Sequence, residues 1–449
     1  MGAGRKFSGG KNGIFYMQYY STKGQVKPVS FKDAVLKGLP EDNGLYMPES
    51  IPILSEEFLK ELSEKSFQDI AIEIVSGFVE DEIKKSDLEK IVHSAFDFDV
   101  PLINIHDNIF VLETFHGPTL AFKDFGARFM ARVMGHFLQN ESKEVNILVA
   151  TSGDTGSAVA QGFLGVEGIK VTLLYPKGKV SKIQEQQLTT IGQNVTALEV
   201  DGTFDDCQTM VKEAFLDKEL KEKLNLSSAN SINIARLLPQ SFYYLYAYSL
   251  VADYPEDIIF CTPSGNFGNL CAGVLAWKMG LPVKKFVAAT NINDIVPTYL
   301  DTGLFNPKGS VRTLSNAMDV GNPSNFPRIL DLYDGSHEKM SGHMIGKVYG
   351  DKQTKEIIKS VYKKYDYVLC PHSAIGYQGL FDTLEERGMN EKGVFISTAS
   401  PAKFGDIVEP VIKEKVEVPE RLQKIVKRKK QAVSMGNQPG DLKSYLLNS

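Results

Sequence analysis

The residues best suited to chemistry fall in four short segments. In Glu113-Thr114-Phe115-His116-Gly117-Pro118-Thr119-Leu120-Ala121-Phe122-Lys123-Asp124-Phe125, a Gly-Pro turn feeds a helical pattern that places Phe122, Phe125 and Phe129 in an apolar stripe around Lys123. If that neighbourhood is dry, the amine is desolvated and favours the neutral, nucleophilic form that a Schiff-base lysine requires. A solvated surface lysine beside Asp124 is the other reading of the same residues. Ser264-Gly265-Asn266-Phe267-Gly268-Asn269 lies between a strand ending near Cys261 and a helical pattern from Leu270 to Met279. Glycines there let backbone N–H groups converge on an anion at a helix N-terminus. It is neither a Walker loop nor a dinucleotide GxGxxG fingerprint, and a plain tight turn uses the same glycines.

The third segment, Ala150-Thr151-Ser152-Gly153-Asp154-Thr155-Gly156-Ser157, again joins strand to helix. Its hydroxyls and free amides suit a carboxylate or a second phosphate, and equally suit a redundant N-cap. In the fourth, Ser231-Ile232-Asn233-Ile234-Ala235-Arg236 with Gln240 beyond, Asn233, Arg236 and Gln240 share one helical face, with Pro239 able to kink or split the helix. Arg236 suits bidentate phosphate binding, and a surface ion pair is its bland alternative.

The elements that must position these residues are legible as patterns. Val145 to Ala150, Val171 to Tyr175, Val195 to Leu198, Ile258 to Cys261, Lys285 to Thr290 and Val394 to Thr398 have strand character, and helical patterns follow them. Repeated strand-then-helix order predicts a parallel sheet covered on both faces, with its loops sharing one crevice at the strands' carboxyl ends. Before them, 17–100 reads as a compact, largely helical region, with short helices at Ser55 to Ser63 and Ser86 to Ala95. Ser86 and Glu89 have capping-box spacing, as do Ser181 and Gln184, whose helix can end at Gly192. The aromatic helix around Phe242, Tyr243, Tyr244, Tyr246 and Tyr248 suits a core better than an interface. Lys424 to Lys430 reads as a solvated basic face.

Composition narrows the class. A chain of 449 residues with 50 Lys plus Arg against 55 Asp plus Glu has a formal charge of −5, too acidic overall for a dedicated nucleic-acid binder. It is long enough for two or three domains and a sizeable core. Its 4 cysteines, Cys207, Cys261, Cys271 and Cys370, include no CxxC pair, and its 7 histidines include no HExxH, so no metal site is expected. No apolar run approaches membrane-span length and no signal-peptide core precedes the first strand, which predicts a protein of the reducing cytoplasm. Residues 1–16, rich in Gly and Lys, read as an added or misassigned leader.

Together the segments resemble the threonine synthase family, pyridoxal-phosphate enzymes of fold type II. The resemblance runs from Tyr20-Ser21-Thr22-Lys23-Gly24 and Gly44-Leu45-Tyr46-Met47-Pro48 through the four segments to Ser397-Thr398-Ala399-Ser400-Pro401-Ala402-Lys403-Phe404, and is closer to the long bacterial and fungal type. It implies an α/β, tryptophan-synthase-β-like fold of two open-sheet lobes with an added N-terminal region. The expected divisions are 17–100, a cofactor lobe at 101–230 carrying the lysine, and a second lobe at 231–449 with the phosphate loop.

The resemblance also implies roles. Lys123 matches the lysine that forms the internal aldimine, and Gly265, Asn266, Phe267, Gly268 and Asn269 the cofactor-phosphate cradle. Thr398 matches the partner of the pyridine nitrogen, where a hydroxyl cannot hold the nitrogen protonated as a carboxylate would. Ser152, Asp154 and Thr155 match the loop meeting the substrate carboxylate and the cofactor hydroxyl side. Many relatives carry Asn where Asp154 stands, and a carboxylate there repels a phenolate unless a proton is shared. Ser231, Asn233 and Arg236 match positions that hold the substrate phosphate. The implied reaction converts O-phospho-L-homoserine and water to L-threonine and phosphate, in a chain expected to be monomeric, with no nucleic-acid or membrane partner. A threonine or serine dehydratase, or a cofactor-binding protein without turnover, would share the cradle; the dehydratase needs no second phosphate site.

Overall fold

The computed structural model describes residues 17–79, 82–139, 144–251 and 258–448; the expected leader lies outside them. Among the described residues, strands form a small pair, a six-stranded sheet and a five-stranded sheet. The five-stranded sheet is built from β5 (Val145–Ala150), β6 (Ile169–Pro176), β7 (Val195–Val200), β8 (Asn225–Ser228) and β13 (Val433–Met435), in the order β13-β7-β6-β5-β8, all parallel. The six-stranded sheet runs β11-β10-β9-β12-β4-β3, from Met344–Val348, Val283–Thr290, Ile258–Pro263, Lys392–Ser397, Ile109–Glu113 and Leu102–His106. Only β3 pairs antiparallel in it.

The central strands form where they do because their side chains are apolar on both faces. β9 is buried at every position and β6 at all but one, as strands covered by helices on either side must be. Helices Lys123–Leu138 and Asp154–Gly162 pack together over the five-stranded sheet, while Pro371–Glu386 packs on β9, β10 and β12 of the six-stranded one. The sheets cut across the expected boundaries. β3 and β4 of the 101–230 segment belong to the six-stranded sheet, and β13 from the chain's end completes the five-stranded one. Parallel pairing places strands by crossover connections, so neighbours in space need not be neighbours in sequence.

The N-terminal region is helical as expected, and it adds an antiparallel pair, β1 (Tyr19–Ser21) with β2 (Tyr46–Pro48). Its helix Phe67–Val79 buries Phe67, Ile70, Ala71, Ile74, Val75 and Phe78, the spacing of one helical face. Phe67 meets Phe125 edge-on at 5.6 Å and Tyr246 at 5.3 Å, bracing the helix that begins with Lys123. The Ser86 and Glu89 capping box does not form: the helix begins one residue earlier, at Lys85, which puts Ser86 inside its first turn. Ser55 caps Glu56–Lys60, after which the chain tightens into a 3-10 turn, and Ser181 and Gln184 form the full capping box. The aromatic stretch splits at Leu238 into Ile234–Leu237 and Pro239–Leu250, with the proline opening the second helix. Phe242, Tyr243, Tyr244 and Tyr248 of that helix are core, as the sequence predicts. All four cysteines are free and buried.

Candidate active site

Lys123 opens the helix Lys123–Leu138 and is held there by its flanks. Ala121 bridges Ala399, the Phe122 amide donates to Thr398 O at 2.9 Å, and the Ser400 amide donates to Leu120 O at 3.1 Å. These bonds pin the segment before Lys123 to the loop that follows β12. Leu120 takes a left-handed φ of 58°, an uncommon backbone state for a branched residue that the surrounding bonds must enforce. Asp124 does not make Lys123 a surface residue. Its buried carboxylate accepts the Thr119 amide and hydroxyl, both at 2.8 Å, and so locks the turn before the lysine. The walls of the cavity desolvate the Lys123 amine and push its pKa down to about 8, against the opposing attraction of Asp154.

One cavity gathers Lys123, Thr155, Ser231, Arg236, Gln240, Thr398 and the whole Gly265–Asn269 loop. The loop follows β9 and turns through Phe267, whose left-handed φ of 61° directs the start of the helix Gly268–Lys278. At Gly265 an added Cβ would lie 2.8 Å from both Ala317 O and Met318 Cα, so only glycine lets that segment close over the loop. Asn269 accepts at Oδ1 from the Tyr243 and Tyr244 hydroxyls, 2.7 and 2.8 Å away, while its Nδ2 is buried with no partner among the described residues. A donor left unpaired at a helix N-terminus is the chemistry a phosphate group satisfies. The residues present therefore fit a cofactor phosphate.

Arg236 is buried, and among the described residues it has no carboxylate partner. One of its terminal nitrogens donates to Ala229 O, and its Nε is an orphan. Burial lowers its pKa to about 10, which still leaves the guanidinium charged at neutral pH. A desolvated cation that lines a cavity with no carboxylate partner among the described residues is complementary to an anion.

Three of the expected residues do not line the cavity: Ser152, Asp154 and Asn233. Asn233 caps Ile234–Leu237 by accepting the Ala235 amide, and its Nδ2 donates to Val35 O at 2.9 Å. Its side chain is thereby consumed in fixing the segment that presents Ser231 and Arg236. In the TSGDTGS loop Gly153 is the N-cap, and the hydroxyl of Thr151 accepts the amides of Gly153 and Gly156, so Ser152 is not needed to hold the turn. Asp154 forms an ion pair with Lys403 Nζ at 2.7 Å and accepts Gln184 Nε2 at 2.9 Å. Burial alone would raise its pKa; Lys403 and then Lys123 outweigh that and hold the carboxyl well below the usual carboxylate range.

Three further residues carry no chemical mark of their own in the sequence. His372 lines the cavity, accepts the Ala317 amide at Nε2 (3.2 Å), and is pushed down to about 4 by burial, so it is neutral at physiological pH. Arg328, fully buried, donates to Tyr46 O, Ile232 O and Asn325 Oδ1, tying the N-terminal region to the Ser231 segment. Lys403 was read only as part of a motif. Histidine and arginine are common enough that no local spacing marks these two; the sole hint was the Ser-Thr-Ala-Ser-Pro-Ala-Lys-Phe string around Lys403.

Comparison with known proteins gives the same outline. Residues 18–96 match the family "Threonine synthase N terminus", 100–399 "Pyridoxal-phosphate dependent enzyme", and 373–446 "Threonine synthase, C-terminal". The threonine synthase of Buchnera aphidicola subsp. Acyrthosiphon pisum is 46% identical over 409 residues, covering 91% of this chain and 94% of that protein. The crystal structure of threonine synthase from Escherichia coli superposes with a TM-score of 0.90 at 41% identity, covering 96% of this chain and 100% of the other. A pyridoxal-phosphate-bound threonine synthase from Brucella melitensis gives 0.90 at 36% identity, with 96% and 99% covered. With a lysine lining a cavity beside a glycine cradle and a buried arginine, on a fold shared across nearly its whole length, the chain belongs to the threonine synthase family of pyridoxal-phosphate-dependent enzymes.

Proposed function

We propose that this chain converts O-phospho-L-homoserine and water to L-threonine and phosphate, with pyridoxal phosphate carried by Lys123. The observation that carries the substrate assignment is Arg236: a buried guanidinium with no carboxylate partner among the described residues, in the same cavity as a separate phosphate cradle. Two anion sites in one cavity suit a phosphorylated substrate beside a phosphorylated cofactor, whereas a dehydratase would need only the cradle. When bound, the cofactor supplies an electron-withdrawing ring that spreads negative charge developing on the substrate.

The chain's own residues do the rest. The backbone amides at Gly265–Asn269 and the free Nδ2 of Asn269 hold the cofactor phosphate. Thr398 offers a hydroxyl to the pyridine nitrogen without fixing a proton there. The Lys123 amine, its pKa lowered to about 8 by desolvation, accepts the proton from the substrate α carbon and later the β carbon. Thr155 and the amides of its loop orient the substrate carboxylate, with Ser152 at the loop's edge. Arg236 and Ser231 hold the γ-phosphate and stabilise it as it leaves, while Asn233 fixes the backbone that presents them. Water then adds at the β carbon and gives up a proton that leaves with phosphate, while Lys123 returns its two protons to the γ carbon, which becomes the methyl group, and to the α carbon.

The chain is proposed to act as a monomer in a reducing cytoplasm: its aromatic helix is spent on the core, and its four cysteines are free. No helix among the described residues is long and apolar enough to cross a membrane. Incubating the holoenzyme with O-phosphohomoserine should release threonine and phosphate in equal amounts. Pyruvate or 2-oxobutyrate as the main product would overturn the synthase assignment, and size-exclusion chromatography at micromolar protein checks the monomer.

A further inference from the structure

The ammonium of Lys403 is fully buried, and its place is fixed by two acceptors, one from each lobe. It lies 2.7 Å from Asp154 Oδ1 and donates to Thr119 O at 2.9 Å. Lys403 follows β12 of the six-stranded sheet, while Asp154 follows β5 of the five-stranded sheet, so the pair spans the two lobes. Both Lys403 and Gln184 engage Oδ1. Among the described residues Oδ2 has no hydrogen-bond partner, and it is not among the sealed orphan atoms. The carboxylate is thus neutralised on one oxygen and open on the other.

We propose that Lys403 and Asp154 act as one charge-neutral unit beside Lys123, and that Lys403 is a positioning residue whose charge cancels the carboxylate's influence on the cofactor-bearing amine. This rests on the reading of Lys123 as the cofactor lysine. A buried charge without its partner acts over several ångströms in a medium of low effective dielectric, whereas a close pair acts as a dipole whose effects largely cancel. The charged and titratable groups in this neighbourhood are Lys123, Arg236, Asp124, His372 and Cys370. Asp154 attracts a proton to Lys123, and Lys403 opposes it. The pair also accounts for a carboxylate where a neutral amide would serve. The ammonium supplies the compensation that a phenolate's approach to an isolated Asp154 would lack.

The test follows the visible absorption of the holoenzyme's lysine-bound cofactor through a pH titration. In Asp154→Asn the ammonium stands uncompensated and the titration midpoint should fall by half a pH unit or more, a threefold or greater loss of proton affinity. Adding Lys403→Met should recover at least half of that fall. A smaller fall, or a double variant that stays as low as the single one, overturns the proposal. Should the single variant not load cofactor, the double variant decides against wild type: a midpoint within half a unit supports a neutral unit, and a larger shift refutes it. Lys123→Ala tests the underlying reading separately. Persistence of the wild-type band in that variant would mean that Lys123 does not carry the cofactor, whatever the pair does.

Discussion

Gly126 lies directly against the guanidinium of Arg236: a Cβ built on it would stand 2.7 Å from Nε and 2.8 Å from the arginine's carbonyl oxygen. The helix that begins with Lys123 therefore touches the proposed substrate-phosphate residue through a surface only glycine can offer. Gly126→Ala must displace the arginine or the helix. A displacement of about 1 Å in a catalytic group can cost on the order of 10²-fold in rate. We expect a loss of that order in kcat/KM for O-phosphohomoserine, with the cofactor's absorption unchanged; steady-state kinetics and a spectrum on one preparation check both.

Replacing the arginine itself should be harsher on turnover than on folding. Arg236→Ala removes a donor set from a leaving phosphate, an effect of roughly 10²- to 10³-fold in kcat where such donors act in the transition state. Cofactor binding should persist, because the Gly265–Asn269 cradle is separate. Phosphate release from O-phosphohomoserine at an unchanged rate would remove Arg236 from the reaction.

Lys123 makes loading of the cofactor depend on pH. Its folded-state pKa of about 8 lies below the ordinary 10.5, so the neutral amine becomes the major form only above about 8. The rate at which the cofactor-free protein takes up pyridoxal phosphate should rise as pH increases through about 8 and level off above it. The sign for stability agrees. The unfolded chain binds more protons between about 8 and 10.5, so the cofactor-free fold gains stability over that window as pH rises. Lys123→Met should flatten both dependences.

His372 gives the opposite end of the scale. Burial lowers its folded pKa from 6.5 to about 4, so between these values the unfolded chain holds the extra proton. Its contribution is complete above 6.5 and is lost as pH falls through about 4. Urea midpoints for His372→Gln should vary less with pH over that window than those of wild type. Because the imidazole is already neutral, the acid limb of the rate profile should stay where it is.

Arg328 serves structure. Its guanidinium supplies Tyr46 O, Ile232 O and Asn325 Oδ1, and Asn325 in turn donates its amide to Asn266 O of the cradle. Arg328→Met would leave these buried acceptors short of donors, at about 1–3 kcal/mol for each one fully unsatisfied. A loss of stability of about 3 kcal/mol or more in chemical denaturation is expected, accompanied by weaker retention of the cofactor.

Much of the framework was written locally. The strands from Val145 to Val394 announce themselves because a strand covered on both faces must be apolar throughout, and Ser181 with Gln184 declares a helix start within four residues. Local rules failed at Ser86, where the helix starts a residue early, and at the lobe boundaries, where β3, β4 and β13 join sheets remote in sequence. The cavity shows the same division. Lys123, Thr155, Arg236, Thr398 and the glycine loop lie in recognisable strings, and the structure gathers them. The backbone-bonding role of Asn233, the ammonium on Asp154 and the imidazole at His372 arise from packing between distant segments, which no spacing along the chain encodes.

The placement of β13 has a consequence for how the protein is made. This strand, Val433–Met435, pairs with β7 along the outer edge of the five-stranded sheet, and Lys430 just before it bridges Glu185 and Glu199. A ribosome delivers β5, β6, β7 and β8 long before it delivers residue 430. During synthesis that lobe can assemble only with one border bare, exposing unpaired amides and carbonyls that invite pairing with another chain. Closure of the border waits until residues 433–435 emerge, so a chain cut short before them would yield a sheet whose catalytic loops are present but whose edge stays open to aggregation.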